Sequence, residues 1–306
     1  MIRSHYIVVV TVAIGLLATT SDIIAQSLEP RAYSNSPVGL NFLLVGFQNP
    51  KGALLFDPAL PIEDVNADID MAMLGYVRTL DVAGNSAKVG VLLPYATFSG
   101  QGILDGNLDT RDTNGIADPE FYFSLNFHGA PALSLKEFNS YQQDTIVGFS
   151  FKLTAPLGVY DPDKIFNIGT NRWSFEPRIG VSQALGNWVL EGSAAITFFT
   201  DNNNFLNGGT RQQDNVYSTQ LHAIYSFPGN IWVALSATYY TGGATTINGL
   251  IRDDLQQNWR TGFTLALPVN RRHSIKLFGS RGISTRTGNN YDTAGIAWQY
   301  RWGGGI

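Results

Sequence analysis

Polar and apolar residues alternate along much of this chain with a period of two. In RWSFEPRIGVSQ (172–183), Trp173, Phe175, Pro177, Ile179 and Val181 take one phase, and Ser174, Glu176, Arg178, Gly180 and Ser182 the other. Successive side chains of a strand point to opposite faces, so this segment has an apolar face and a face carrying an acid and a base. The same alternation runs through DPEFYFSLNF (118–127), VGFSFKLTAP (147–156), VYSTQLHAIYSF (216–227), NIWVALSATYYTG (230–242) and NWRTGFTLAL (258–267). With weaker segments included, the pattern predicts twelve strands, near 37–47, 66–80, 86–98, 116–127, 145–158, 172–184, 188–200, 214–228, 230–242, 255–268, 272–284 and 290–302.

The connections between these strands alternate in length. DVAGN (81–85), LGN (185–187), PG (228–229) and VNR (269–271) are short. The segments 48–65, 97–115, 160–171, 201–213 and 242–254 are long. Tight turns at one end and long loops at the other are the layout of an up-and-down antiparallel barrel that crosses an outer membrane, with short periplasmic turns and long extracellular loops. A sandwich would not show it. One connection breaks the rule: HGAPALSLKEFNSYQQD (128–144) lies on the turn side, and its LSLKEF core suits a single helical turn at the mouth. Pro177 sits inside a predicted strand, where its missing N–H implies a bulge or a frayed end.

In such a barrel the apolar phase meets lipid. Phe121, Phe123, Phe149, Phe151, Ile179, Val181, Leu235, Phe263 and Leu265 are then expected on the outer surface, where a sandwich would bury them. Trp173, Trp188, Tyr239, Tyr240, Trp259, Trp298, Tyr300 and Trp302 gather at strand ends, as aromatic girdles do. The polar phase faces the lumen. The same parity assigns Asp68, Asp70, Arg78, Lys88, Glu120, Lys152, Glu176, Arg178, Glu191, His222, Arg260, Lys276 and Arg301 to the interior. An Arg or Lys facing lipid at the midplane costs about 2–4 kcal/mol, so the inward address is the affordable one. These charges either select solutes or form a salt-bridged filling. Twelve strands lie between the filled eight-stranded barrel and the open channel of about sixteen, which implies a narrow pore or a ligand-sized lumen.

Composition agrees. Charged residues are only 14%, against about 25% in soluble domains, and aromatics reach 12%. Cysteine is absent, which excludes disulfides and thiolate metal sites. The net charge of −4 is dispersed, with no basic block to suit nucleic acid. Residues 1–25 read as a secretory signal peptide: Arg3 and His5 precede the apolar run Ile7–Leu17, with cleavage expected after Ala25 and one barrel domain over 26–306. No run of eighteen apolar residues follows it.

Enzymatic chemistry finds no foothold. There is no GxSxG, GxGxxG, Walker or HExxH motif, so no catalytic residue and no cofactor are expected. DGNLDTRDTNGIADPE (105–120) spaces its acids like a calcium loop but lacks the glycine at the sixth position and the glutamate at the twelfth, so no metal is expected either.

The blocks LEPRAYSNSPVGLNF (28–42), TNRWSFEPRIGVS (170–182), FFTDN (198–202), ATYYTGG (237–243) and DTAGIAWQYRW (292–302) resemble the bacterial family described as putative MetA-pathway of phenol degradation. The resemblance spans the chain beyond the leader. It implies an outer-membrane barrel serving uptake of aromatic or other small organic compounds, with no catalytic residues to carry over. One departure is the terminal GGGI after Trp302, which shifts the aromatic assembly signal to Ile296, Trp298, Tyr300 and Trp302. The resulting expectation is a passive channel whose partners are outer-membrane lipid and a small solute, with the oligomeric state open. The alternative is a structural or adhesive barrel whose loops bind partners.

Overall fold

The computed structural model describes residues 29–52, 62–104, 106–288 and 291–306, so the expected leader 1–25 lies outside the described residues. Twelve antiparallel strands close into one barrel. The first six are Leu40–Gly52, Ile62–Val82, Asn85–Leu104, Glu120–His128, Thr145–Thr154 and Ser174–Leu185. The other six are Trp188–Phe199, Val216–Ser226, Trp232–Gly242, Gln256–Pro268, His273–Ser284 and Tyr291–Gly303. Closure comes from pairing the first strand with the last, from Leu40 opposite Gly303 to Gly52 opposite Tyr291. A closed ladder leaves no edge, which is what permits strands to cross a membrane. Among the described residues no helix is long and apolar enough to cross one.

The outer face is apolar and uncovered. Ile179 is 55% exposed, Leu235 65% and Phe263 46%. Phe121, Phe123, Phe149 and Val181 are exposed, and Phe151 and Leu265 half-buried. None of the nine is buried, so the strands present their larger apolar side chains to lipid. Aromatic residues flank this belt. Trp188, Tyr225 and Phe227 pack edge to face near the turn end, where Trp298, Tyr300 and Trp302 stack along the last strand. Tyr239 and Trp259 lie 4.8 Å apart towards the loop end. Tyr240 is the exception: its odd neighbours face lipid, so its own phase is lumenal and it is buried.

Three local features depart from the sequence expectation. The segment 97–115 is no coil: Asn107–Ile116 pairs with the outer half of Asn85–Leu104, making a hairpin arm beyond the barrel. There neither face meets lipid, so the apolar alternation that betrays a membrane strand is missing. Glu120–His128 then pairs with the inner half of the same strand. Pro177 produces no bulge; it pairs in register with Phe151, and the ladder to the following strand omits only Glu176 and Pro177 before resuming. The long connection 129–144 does contain one helical turn, Leu135–Phe138, held by a capping box between Ser134 and Glu137.

Asp68, Asp70 and Arg78 are corrections. All three are exposed and face outward, because the lumenal phase of Ile62–Val82 is the one carrying Ile69, Met71 and Thr79. That phase is itself apolar, so charge was a misleading guide to its direction. Asp70 accepts a 2.6 Å hydrogen bond from Asn49, also outward, and pairs with Thr97, on the loop side of the belt residue Tyr95. Arg78 sits at the other margin, opposite Asn41 and Val89. Headgroups tolerate charge at both levels.

Candidate functional site

The barrel encloses a cavity of about 1110 Å³. Its lining has a polar side and an apolar side. The polar wall comes from the middle of the chain. Cross-strand pairing sets Lys152 beside Glu176, and Glu120 projects from the neighbouring strand. Lys152 Nζ lies 3.4 Å from Glu120 Oε1 and 3.7 Å from Glu176 Oε2. Arg178 donates to Glu176 Oε1 at 2.7 Å and to Ser193 Oγ at 3.0 Å, and Thr197 donates to the other Glu176 oxygen. Interleaved signs and filled lone pairs are what a low-dielectric wall demands of buried charge. Beside this network, His222 Nδ1 is 2.8 Å from Ser236 Oγ. Arg260, fully buried, donates to Ser280 and lies 3.5 Å from the Tyr291 ring centroid.

The opposite wall is apolar. Phe42, Leu44, Met73, Val77, Leu92 and Phe278 line it, from the first three strands and the eleventh. In the first two strands both phases are hydrophobic along this stretch, one facing lipid and the other the cavity, while Lys88 and Lys276 share the lumenal phase of the third and eleventh strands with Leu92 and Phe278.

The turn-side part of the lumen holds an element that strand periodicity does not reveal. Residues 29–37 line the cavity from inside the barrel, as a strap leading into the first strand. Lys88 Nζ donates to the carbonyls of Ala32 and Ser34, each at 3.0 Å. Glu191 accepts from the Arg31 backbone N–H at 2.7 Å, and the Arg31 guanidinium reaches Ser226 Oγ and lies over Trp232. Asn126 donates to the Tyr33 carbonyl, and Lys276 pairs with Glu29 at 3.1 Å. The Tyr33 ring rests on Gly148 and Gly180, which face each other on adjacent strands. A Cβ on Gly180 would stand 2.1 Å from that ring. Two glycines in the lumenal phase, and a stretch RAYSNSP without alternation just before the first strand, were the available signals.

At the loop end, Asp118 pins the neck of the 158–170 loop. Its carboxylate accepts from the N–H groups of Gly158 and Thr170 and from the Thr170 hydroxyl. The body of that loop sends Ile165 and Phe166 into a buried cluster with Ile69, Phe98, Phe205 and Ile247, covering the mouth. Arg111 and Asp161, 3.5 Å apart, tie it to the hairpin arm.

Of the residues expected inside, Lys88, Glu120, Lys152, Glu176, Arg178, Glu191, His222, Lys276 and Arg301 line this one cavity, and Arg260 is buried on the same lumenal phase. Asp68 and Asp70 do not join them. Among the described residues no group of three or more His, Asp or Glu is placed to hold a metal.

The model of the family described as "Putative MetA-pathway of phenol degradation" matches residues 54–300. The chain belongs to this family. No functionally curated protein matches it. Among solved structures, the COG4313 outer membrane channel from Pseudomonas putida F1 superposes with a TM-score of 0.75 at 20% identity, covering 90% of this chain and 100% of that one. The transport unit of the autotransporter AIDA-I from Escherichia coli gives 0.50 at 9% identity, covering 91% and 94%. At such identities the likeness concerns the fold, that of a twelve-stranded barrel seated in the outer membrane.

Proposed function

We propose that this protein is a channel for passive passage of small amphiphilic organic solutes across the outer membrane, aromatic compounds of the phenol type among them. The observation that carries the reading is the division of the cavity into an apolar wall and a hydrogen-bonding, charged wall. A sugar would leave its hydroxyls unpaired against Phe42, Leu44 and Leu92, and a pure hydrocarbon would leave the charged wall desolvated without a partner. A solute with a flat apolar body and one polar end satisfies both. The family's association with phenol degradation and the channel named for the Pseudomonas putida barrel support the same reading. The wall charges then orient solutes and perform no chemistry.

Liposome swelling tests it. Proteoliposomes should admit phenolic and short fatty solutes faster than sugars of similar size, each measured against protein-free vesicles of the same lipid. Equal rates for all three classes would refute selectivity. No rate above the protein-free control would favour a structural or adhesive barrel acting through its loops.

A further inference from the structure

The chain carries a net charge of −4, yet its cavity is basic. Among the described residues, eight Lys and Arg side chains line it against four Glu. The excess alone says little, since a buried base can be consumed by its partners. Accessibility decides what a solute meets. The three acids of the barrel wall are covered: Glu120 is 1% exposed, and Glu176 and Glu191 are each 5%. Lys276 and Arg178 retain 22% and 15% of their side-chain surface, and Arg301 is half-buried at the turn-side rim beside Arg271. Among the described residues the accessible acid of the lining is Glu29, which belongs to the strap and is engaged by Lys276. A solute in the cavity therefore touches cations and hydroxyls, with the wall carboxylates behind them and the Glu29 carboxylate of the strap, 61% exposed, held in an ion pair with Lys276. The low-dielectric belt around the lumen concentrates that positive potential along the axis.

Resting on the channel reading above, we propose that the cavity binds a monoanionic amphiphile: an apolar ring or short chain ending in a single carboxylate. The carboxylate would exchange between Arg178 and the bases nearer the rim, Lys276 and Arg301. The body would lie against the Phe42, Leu44 and Leu92 wall. A second charge on the solute would face that apolar wall unpaired, which restricts the class to one anionic group. Trp232 lines the same cavity, with the Arg31 guanidinium carbon 4.9 Å and Lys276 Nζ 6.0 Å from its ring centroid, so occupancy of the basic track is optically visible.

The experiment uses the full barrel refolded in detergent and in planar bilayers, with benzoate, acetate and benzyl alcohol as probes. Under a KCl gradient the reversal potential should shift towards the chloride value. Benzoate should reduce the chloride current several-fold at concentrations where acetate and benzyl alcohol do not. Lys276→Gln, and separately Arg178→Gln, should each move the reversal potential back and weaken the benzoate block. Retained heat-modifiable migration on gels identifies the folded variants, and Lys276→Gln, at a partly exposed site, remains informative if Arg178→Gln fails to fold. Cation selectivity, or equal block by benzyl alcohol, would overturn the inference while leaving the channel intact. If the folded barrel conducts nothing, the channel reading fails by itself. Benzoate titration of the Trp232 fluorescence, isolated by difference against Trp232→Phe, then decides the inference: saturable quenching supports it and none overturns it.

Discussion

Gly180 and Tyr33 show how a single missing carbon shapes the lumen. The Tyr33 ring occupies the space a Gly180 side chain would take, and Gly148 supplies the rest of the seat. Gly180→Ala should therefore displace the strap while leaving the strand paired, since Gly180 has no left-handed backbone to lose. The expected outcome is higher single-channel conductance and faster proteolysis within 29–39. Gly192→Ala is the control, because its added Cβ meets only the Leu221 side chain at 3.5 Å on the lipid face. Equal behaviour of the two variants would mean that Tyr33 does not hold the strap. The Lys152 network is legible at this scale too. Its members fall on the polar phase of consecutive strands, and cross-strand pairing does the rest.

At the scale of elements, the loop 158–170 behaves as a unit because one buried carboxylate closes its neck. Asp118 is 1% exposed and satisfies three donors at once. Removing the acceptor leaves the donors of half-buried Gly158 and exposed Thr170 without their partner, at about 1–3 kcal/mol for each that finds no water. Asp118→Ala should speed hydrogen exchange at the Gly158 and Thr170 amides by an order of magnitude or more and leave the barrel amides unchanged. Unaltered exchange at those two positions would show that the Ile165 and Phe166 cluster alone secures the loop. Nothing in the local sequence DPE marks Asp118 as a neck residue, since both of its partners lie about forty to fifty positions downstream.

For the molecule as a whole, lipid is the solvent of the outer face. Leu235, 65% exposed and paired with Phe263 and Ala223 within the belt, should reject charge. Leu235→Arg is expected to destabilise the barrel by about 2–4 kcal/mol, measured by denaturant unfolding from lipid vesicles. Ile251→Arg should be nearly neutral, although Ile251 is 82% exposed, because it lies in the small four-stranded sheet built by the extracellular loops. A neutral Leu235→Arg would remove that strand face from the membrane.

The sequence by itself determined the strand count, the alternation of turns and loops, and the facing of strands with one apolar and one polar phase. These are local consequences of a period-two chain between two solvents, lipid outside and a polar lumen within. Where both phases were apolar, as in Ile62–Val82, local pattern could not choose a face. Closure of the sheet did, and it turned Asp68, Asp70 and Arg78 outward. The strap, the loop-end closure and the division of the cavity into two walls were likewise decided only in three dimensions. Each depends on contacts between residues far apart in the chain, such as Arg31 with Glu191 or Phe98 with Phe166. Spacing along the chain carries no signal for pairs of that kind, because it is the barrel's closure that brings them within reach.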